Sequence, residues 1–111
     1  MKRVLKVQRV TAYELSAVRK KVESSEFFTS LFKSGKVVGI SSEFRQHGRK
    51  PVIAVTILRN LDPQVKDQIK ETIRQHLEQD LQKRAKYVGI VFDIAGAIVF
   101  AKEEEQPEMC S

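Results

Sequence analysis

Arg45, His47, Arg49 and Lys50 stand within six residues of one another, around the single glycine of the segment Arg45-Gln46-His47-Gly48-Arg49-Lys50. Guanidinium and ammonium groups so spaced suit phosphate. They supply affinity for a polyanionic backbone that is independent of base sequence and weakens steeply with salt. A short polar stretch with one glycine between two apolar runs reads as a hairpin turn, so these groups project from a tip that can enter a groove or lie along a phosphodiester chain. Phe44, at the base of the tip, offers a stacking surface, although an alternating Phe also suits a core. Lys33 and Lys36 are expected at the same end of the sheet, and Arg19-Lys20-Lys21 makes a separate basic run. The plainer reading is a solvated turn kept basic for solubility.

The overall charge agrees with a polyanionic partner. The net charge is +6, but residues 1–60 carry thirteen Lys and Arg against four Glu, a surplus of nine, whereas residues 61–111 carry seven basic against ten acidic groups. Such asymmetry is a statement about partners rather than fold.

Other chemistry finds less support. His47 and His76 are the two histidines, and neither has a second His or a Cys at the helical spacing of a zinc site. No lysine-bearing phosphate loop, GxGxxG or GxSxG pattern occurs. Cys110 is the single cysteine and stands among acidic residues, where nothing lowers its pKa or orients a base. Asp93, near the end of an apolar strand, has the placement of a catalytic carboxylate, but a turn residue accepting local N–H bonds looks the same. Asp62 reads as a helix cap. The reading is therefore non-enzymatic, with no catalytic residue, metal or cofactor. No RNP-type aromatic pair and no GxxG loop is present, so no named RNA-binding module is matched.

The elements that must position the tip are legible around it. Val52 to Leu58 leaves only Thr56 polar, the pattern of a strand covered on both sides. Asp62-Pro63 starts a helix, since Asp caps and Pro lacks an N–H that would go unpaired in the first turn. Val65, Ile69, Ile73, Leu77 and Leu81 then recur at every fourth residue, predicting a helix to about residue 85. A spacing of four advances the stripe by about 40° per step. The Leu77–Leu81 end therefore either follows the twist of the sheet or is left as a rim for a partner. Upstream, Lys36 to Phe44 reads as a half-buried strand with Val38, Ile40 and Phe44 on one face.

Thr11-Ala12-Tyr13-Glu14 is a capping box, with Val10 and Leu15 at the spacing of a hydrophobic staple. The helix it starts is expected to run to about Lys33 with a bend at Ser24-Ser25, the alternative being a second helix capped there. Residues 2–10 resemble a basic edge strand. Tyr87 to Ile94 and Ala97 to Ala101 read as two further strands that pair.

Strand, helix, strand, strand, helix, strand predicts an α+β fold. The expected architecture is a ferredoxin-like βαββαβ two-layer sandwich with an extra C-terminal strand. The alternative is a KH-like αββαβ core with residues 2–10 peripheral. From about Pro51 to Ile94, strand then Pro-capped helix then strand, the pattern is similar to small ββαβ domains. These include ribosome-binding assembly factors, alkaline-shock-type proteins and cytoplasmic domains of cation transporters. That resemblance implies a fold and no residue roles.

Residues 1–101 are expected to form one domain and 102–111 a disordered acidic tail. The start of the chain has charge mixed through it and no apolar run of the ~20 residues a membrane helix needs, so the expected location is cytoplasmic. The function expected is a small nucleic-acid-associated protein, binding RNA or DNA backbone through Arg45, His47, Arg49, Lys50, Lys33 and Lys36. The alternative is a homo-oligomeric adaptor or regulatory module joined through Leu77 and Leu81 on the helix rim or Ile98 and Phe100 on an edge strand.

Overall fold

Residues 9–95 are described by the computed structural model. The order is α1 (Ala12–Glu23), α2 (Glu26–Ser34), β1 (Val37–Arg45), β2 (Lys50–Ile57), α3 (Pro63–Leu81), a 3₁₀ segment (Gln82–Tyr87) and β3 (Gly89–Ile94). No helix among the described residues is long and apolar enough to cross a membrane.

Local chemistry accounts for each helix boundary. The Thr11 hydroxyl accepts from the Glu14 N–H at 3.1 Å while the Glu14 carboxylate accepts from the Thr11 N–H at 3.1 Å, closing the capping box of α1. Leu15, Val18 and Val22 form its buried stripe. The chain then breaks, where one bent helix was the expectation. The Ser24 and Ser25 hydroxyls donate to the Lys20 and Val22 carbonyls, and Ser25 also accepts from the Phe28 N–H at 3.3 Å. Serine hydroxyls compete with the helical ladder in this way, so α2 starts as a separate helix. Gly35, with φ of 79°, ends it.

Asp62 caps α3 by accepting from the Gln64 N–H at 3.0 Å, and Pro63 occupies the first turn. The helix stops at Leu81, short of the expected end, because Gln82 takes a φ of 58°. Beyond that break the chain tightens into the 3₁₀ segment. Arg74 reaches across from α3, its guanidinium donating to the Ala85 carbonyl at 3.0 Å and the Val88 carbonyl at 3.4 Å. The Ala85 carbonyl also accepts from the Val88 N–H at 3.1 Å, so the guanidinium is its second donor and ties the 3₁₀ segment back to α3.

The sheet has three strands in the order β1-β2-β3, with β1 antiparallel and β3 parallel to β2. This corrects the ferredoxin-like expectation, in which another strand separates β2 from β3. They hydrogen-bond directly from Val52 beside Gly89 to Ile57 beside Ile94, so nothing lies between them. The α3 crossover returns the chain alongside the strand it left. Arg9 and Val10 form no strand, and residues 1–8 lie outside the described part, as do the expected strand at 97–101 and the tail at 102–111.

A bulge between Val37 and Gly39 revises the register of β1. Val37 turns into the core beside Ile57, and Val38, expected inside, is 56% exposed. Past the bulge Ile40 faces inward opposite Val55, as its alternation predicts.

The core is one cluster that joins Leu15, Val18 and Val22 of α1, Phe28 and Leu31 of α2, Ile53, Val55 and Ile57 of β2, and the α3 stripe. Burying each such side chain fully contributes about 1.5–3 kcal/mol. Leu77 is 0% and Leu81 is 3% exposed, both within this cluster. That corrects the expected oligomer rim, since α1 and the 3₁₀ segment pack against α3 and the drifting stripe is covered from within the chain. On the opposite sheet face alternate residues of β1, β2 and β3 line up, with no helix among the described residues laid over them.

Candidate nucleic-acid interface

The hairpin tip is a tight left-handed turn. Arg45 pairs opposite Lys50, and the Arg49 N–H donates to the Arg45 carbonyl at 3.0 Å. Gln46 and His47 have φ of 56° and 61°, followed by Gly48 at 81°. Successive residues of positive φ match the twist of a hairpin, but outside glycine each strains the chain by about 1–2 kcal/mol. The strand ladder on either side holds the turn in place.

Parallel pairing brings a second segment to the same place. Because Val52 lies beside Gly89, the residues just before β3 arrive next to those that start β2. Lys86 and Tyr87 therefore join Arg49 and Lys50. Gly89 leaves room for the Lys50 side chain, whose Cε lies 3.3 Å from where a β-carbon of residue 89 would be. The Lys86 ammonium stands 5.4 Å from the centroid of the Tyr87 ring.

A third segment is tied in through Arg84. Its guanidinium grips both Glu14 carboxylate oxygens, at 2.9 and 2.8 Å, and donates to the Arg9 carbonyl at 3.2 Å. The bidentate Arg84 contact, with the Thr11 N–H, holds the Glu14 carboxyl down at about 2 against an ordinary value of 4.5. Arg9 and Val10 are thereby fastened over the start of α1, at the edge of the hairpin tip.

Together these segments enclose an open groove of about 770 Å³. Arg9, Arg49, Lys50 and Lys86 line it with the rings of Phe44 and Tyr87, while Val10, Gly48 and Pro51 complete its walls. Among the described residues no carboxylate lines it. Phe44 and Tyr87 are 36% and 41% exposed, so each ring keeps much of its surface in solvent.

Of the residues expected at this site, Arg49 and Lys50 are in the groove, and His47 lies exposed at the tip beside it. Arg45 is committed elsewhere. Its Nε donates to Glu43 at 2.8 Å and its terminal nitrogen to Asp93 at 3.1 Å, tying β1 to β3. A hydrogen bond from Ser41, then the Arg45 contact, lowers the Glu43 pKa, and the two carboxylates raise that of Arg45. Asp93 is thus an ion-pair partner within β3, where a turn residue was expected.

Lys33 and Lys36 need a larger correction. Lys36 precedes Val37, which pairs with Ile57 at the end of the sheet remote from Arg45 and Lys50. At ~3.3 Å per residue the length of β1 puts roughly 25 Å between the two ends, so these lysines do not join the tip. Ile98 and Phe100 lie outside the described residues.

Neither histidine belongs to a metal-binding group, and among the described residues no cluster of three His, Cys, Asp or Glu occurs. His76 Nδ1 lies 3.0 Å from the Thr72 carbonyl oxygen, a contact that the N–H form of that nitrogen makes by donating.

Arg9, Lys86 and Tyr87 are the site residues that sequence reasoning did not single out. Lys86 and Tyr87 looked like the seam between helix and strand, and Arg9 like part of a strand. The pairing of β2 with β3 locates Lys86 and Tyr87 by putting the two strand starts side by side, and the Arg84 clamp locates Arg9.

No protein-family model, curated protein or solved structure matches the chain.

Proposed function

We propose that the chain is a small nucleic-acid-associated protein, without catalytic chemistry of its own, that holds a phosphate backbone in the groove beside the hairpin tip. One observation carries this reading: Arg9, Arg49, Lys50 and Lys86 converge on one groove with no carboxylate among its described lining residues. Elsewhere several cations of the described surface have acidic partners, as in Arg19 with Glu23, Lys21 with Asp80, Arg45 with Glu43 and Asp93, and Arg84 with Glu14. Like charges gathered without counter-charge repel one another, and a polyanion relieves that repulsion. The helix-first order and mixed sheet are also compatible with the KH-like αββαβ alternative, although fold analogy alone assigns no function.

The test is binding of labelled mixed-sequence RNA and DNA at low salt. The variant Arg9→Glu/Arg49→Glu/Lys86→Glu is compared with Arg19→Glu/Lys20→Glu, which reverses charge away from the groove. Binding that disappears only in the groove variant supports the reading. Absence of binding at micromolar protein, or equal loss in both variants, contradicts it.

A second reading, self-association, is supported by β1. It is an edge strand among the described residues, with Val38 exposed on it, and an unpaired edge is a template for another strand. Light scattering over a range of concentrations tests it. A mass that stays monomeric throughout counts against it.

A further inference from the structure

We propose that the groove takes unpaired nucleotides, with a base against Phe44 or Tyr87 and the backbone held by the surrounding cations. This deepens the nucleic-acid reading and rests on it. Phosphate attraction alone needs no aromatic ring, yet the groove carries two, on separate elements, beside four cations. Phe44 belongs to β1, Tyr87 precedes β3, and both are substantially exposed.

An exposed ring is of use to a base only when that base has left its duplex, because paired bases are already stacked on both sides. Single-strand sites combine these same two parts, a positively charged track for the backbone and rings for successive bases. The size of the groove agrees. Its volume of about 770 Å³ lies in the range of ~300–1,000 Å³ that encloses ligands of small-molecule size, on the scale of nucleotides rather than of a duplex.

The geometry also supplies a rigid frame. Glu14 and Arg84 fix the Arg9 side, Lys86 and Tyr87 lie in the 3₁₀ segment just ahead of the β2–β3 ladder, and the tight turn fixes Arg49. The Lys86 ammonium lies over the Tyr87 ring, 5.4 Å from its centroid, so a base stacks on that face once a phosphate has drawn the flexible ammonium aside. Recognition of this kind is tolerant of base identity, since every base has a π-face.

The experiment measures binding of single-stranded RNA, single-stranded DNA, the matching DNA duplex and polyglutamate to the whole chain. Wild type is compared with Phe44→Leu and Tyr87→Leu, which remove a ring and keep an apolar side chain at a solvent-facing position. The expected result is single-strand binding tighter than duplex or polyglutamate binding, weakened on the order of tenfold by loss of either ring. Phe44→Tyr should restore it, and duplex binding should be unchanged in every ring variant. RNA bound more tightly than DNA, or the reverse, would say which sugar the groove prefers and support the inference either way.

Equal affinity for duplex and single strand, or ring variants that bind as wild type does, overturns the inference and leaves the backbone-binding reading standing. Polyglutamate bound as tightly as the single strands overturns it too, because charge alone then suffices. Binding to no nucleic acid removes both readings at once.

Discussion

Arg45 and Asp93, forty-eight residues apart in the chain, meet at 3.1 Å across the sheet, one from β1 and the other from β3. With Glu43 as its second carboxylate, Arg45 closes a chain of contacts that begins at the Ser41 hydroxyl. The first cation of the basic hairpin is therefore a clasp on the sheet, and the groove is left to the cations that follow it.

That separation of roles is measurable. Arg45→Ala should lower stability by about 1 kcal/mol, in keeping with a partly exposed ion pair, and leave nucleic-acid affinity close to that of wild type. Arg49→Ala should do the opposite, changing affinity with little effect on stability. Urea denaturation and a binding titration on each variant check both halves, and a double-mutant cycle with Asp93→Asn isolates the pair.

The Glu14–Arg84 contact predicts an acid response. The folded-state pKa of Glu14 is lowered to about 2 from 4.5. Its contribution to stability is therefore fully present above about pH 4.5 and is lost as the pH falls from there toward 2. After allowance for partial exposure this amounts to about 1–2 kcal/mol. Glu14→Gln should be less stable than wild type at neutral pH, with a gap that closes through that acid window. Urea midpoints measured across it check the prediction, and a gap that does not narrow contradicts it.

Much of this fold is written locally. The Thr11–Glu14 box, the Asp62-Pro63 cap and Gly35 announce their elements because each is satisfied by neighbours within four residues, and the apolar stripes announce theirs by their period alone. Features that depend on distant partners are not so written. The Ser24-Ser25 pattern permits both a bent helix and a break. The bulge that expels Val38 is set by pairing with β2, and the end of α3 at Gln82 goes with the reach of Arg74 to Ala85 and Val88. The site divides in the same way. Arg49 and Lys50 stand out as a charge run, whereas Lys86, Tyr87 and Arg9 become neighbours of it only through parallel pairing and the Arg84 clamp.

The turn itself should be improvable. Gln46 and His47 hold positive φ without being glycine, so His47→Gly should raise stability by up to about 1 kcal/mol, after the extra freedom of glycine in the unfolded chain is set against the relieved strain. Gly48→Ala should lower it by a similar amount. Thermal or urea unfolding of the two variants gives the signs directly.

Leu77 distinguishes a core residue from a docking residue. Leu77→Ala should cost about 2–5 kcal/mol of stability, as for any buried leucine, and leave the mass of the folded protein unchanged. A stable variant with an altered oligomeric state would contradict its place in the core.

The most direct test of the central claim is the salt dependence of single-strand binding. Each phosphate neutralised contributes about −0.7 to the slope of log Kobs against log salt concentration, so four groove cations predict a slope of about −3. Arg49→Gln/Lys86→Gln should reduce its magnitude by about 1.4, and Lys33→Gln/Lys36→Gln, at the far end of the sheet, should leave it unchanged. A slope near zero in wild type, or one that responds to Lys33 and Lys36 and not to Arg49 and Lys86, would contradict the account.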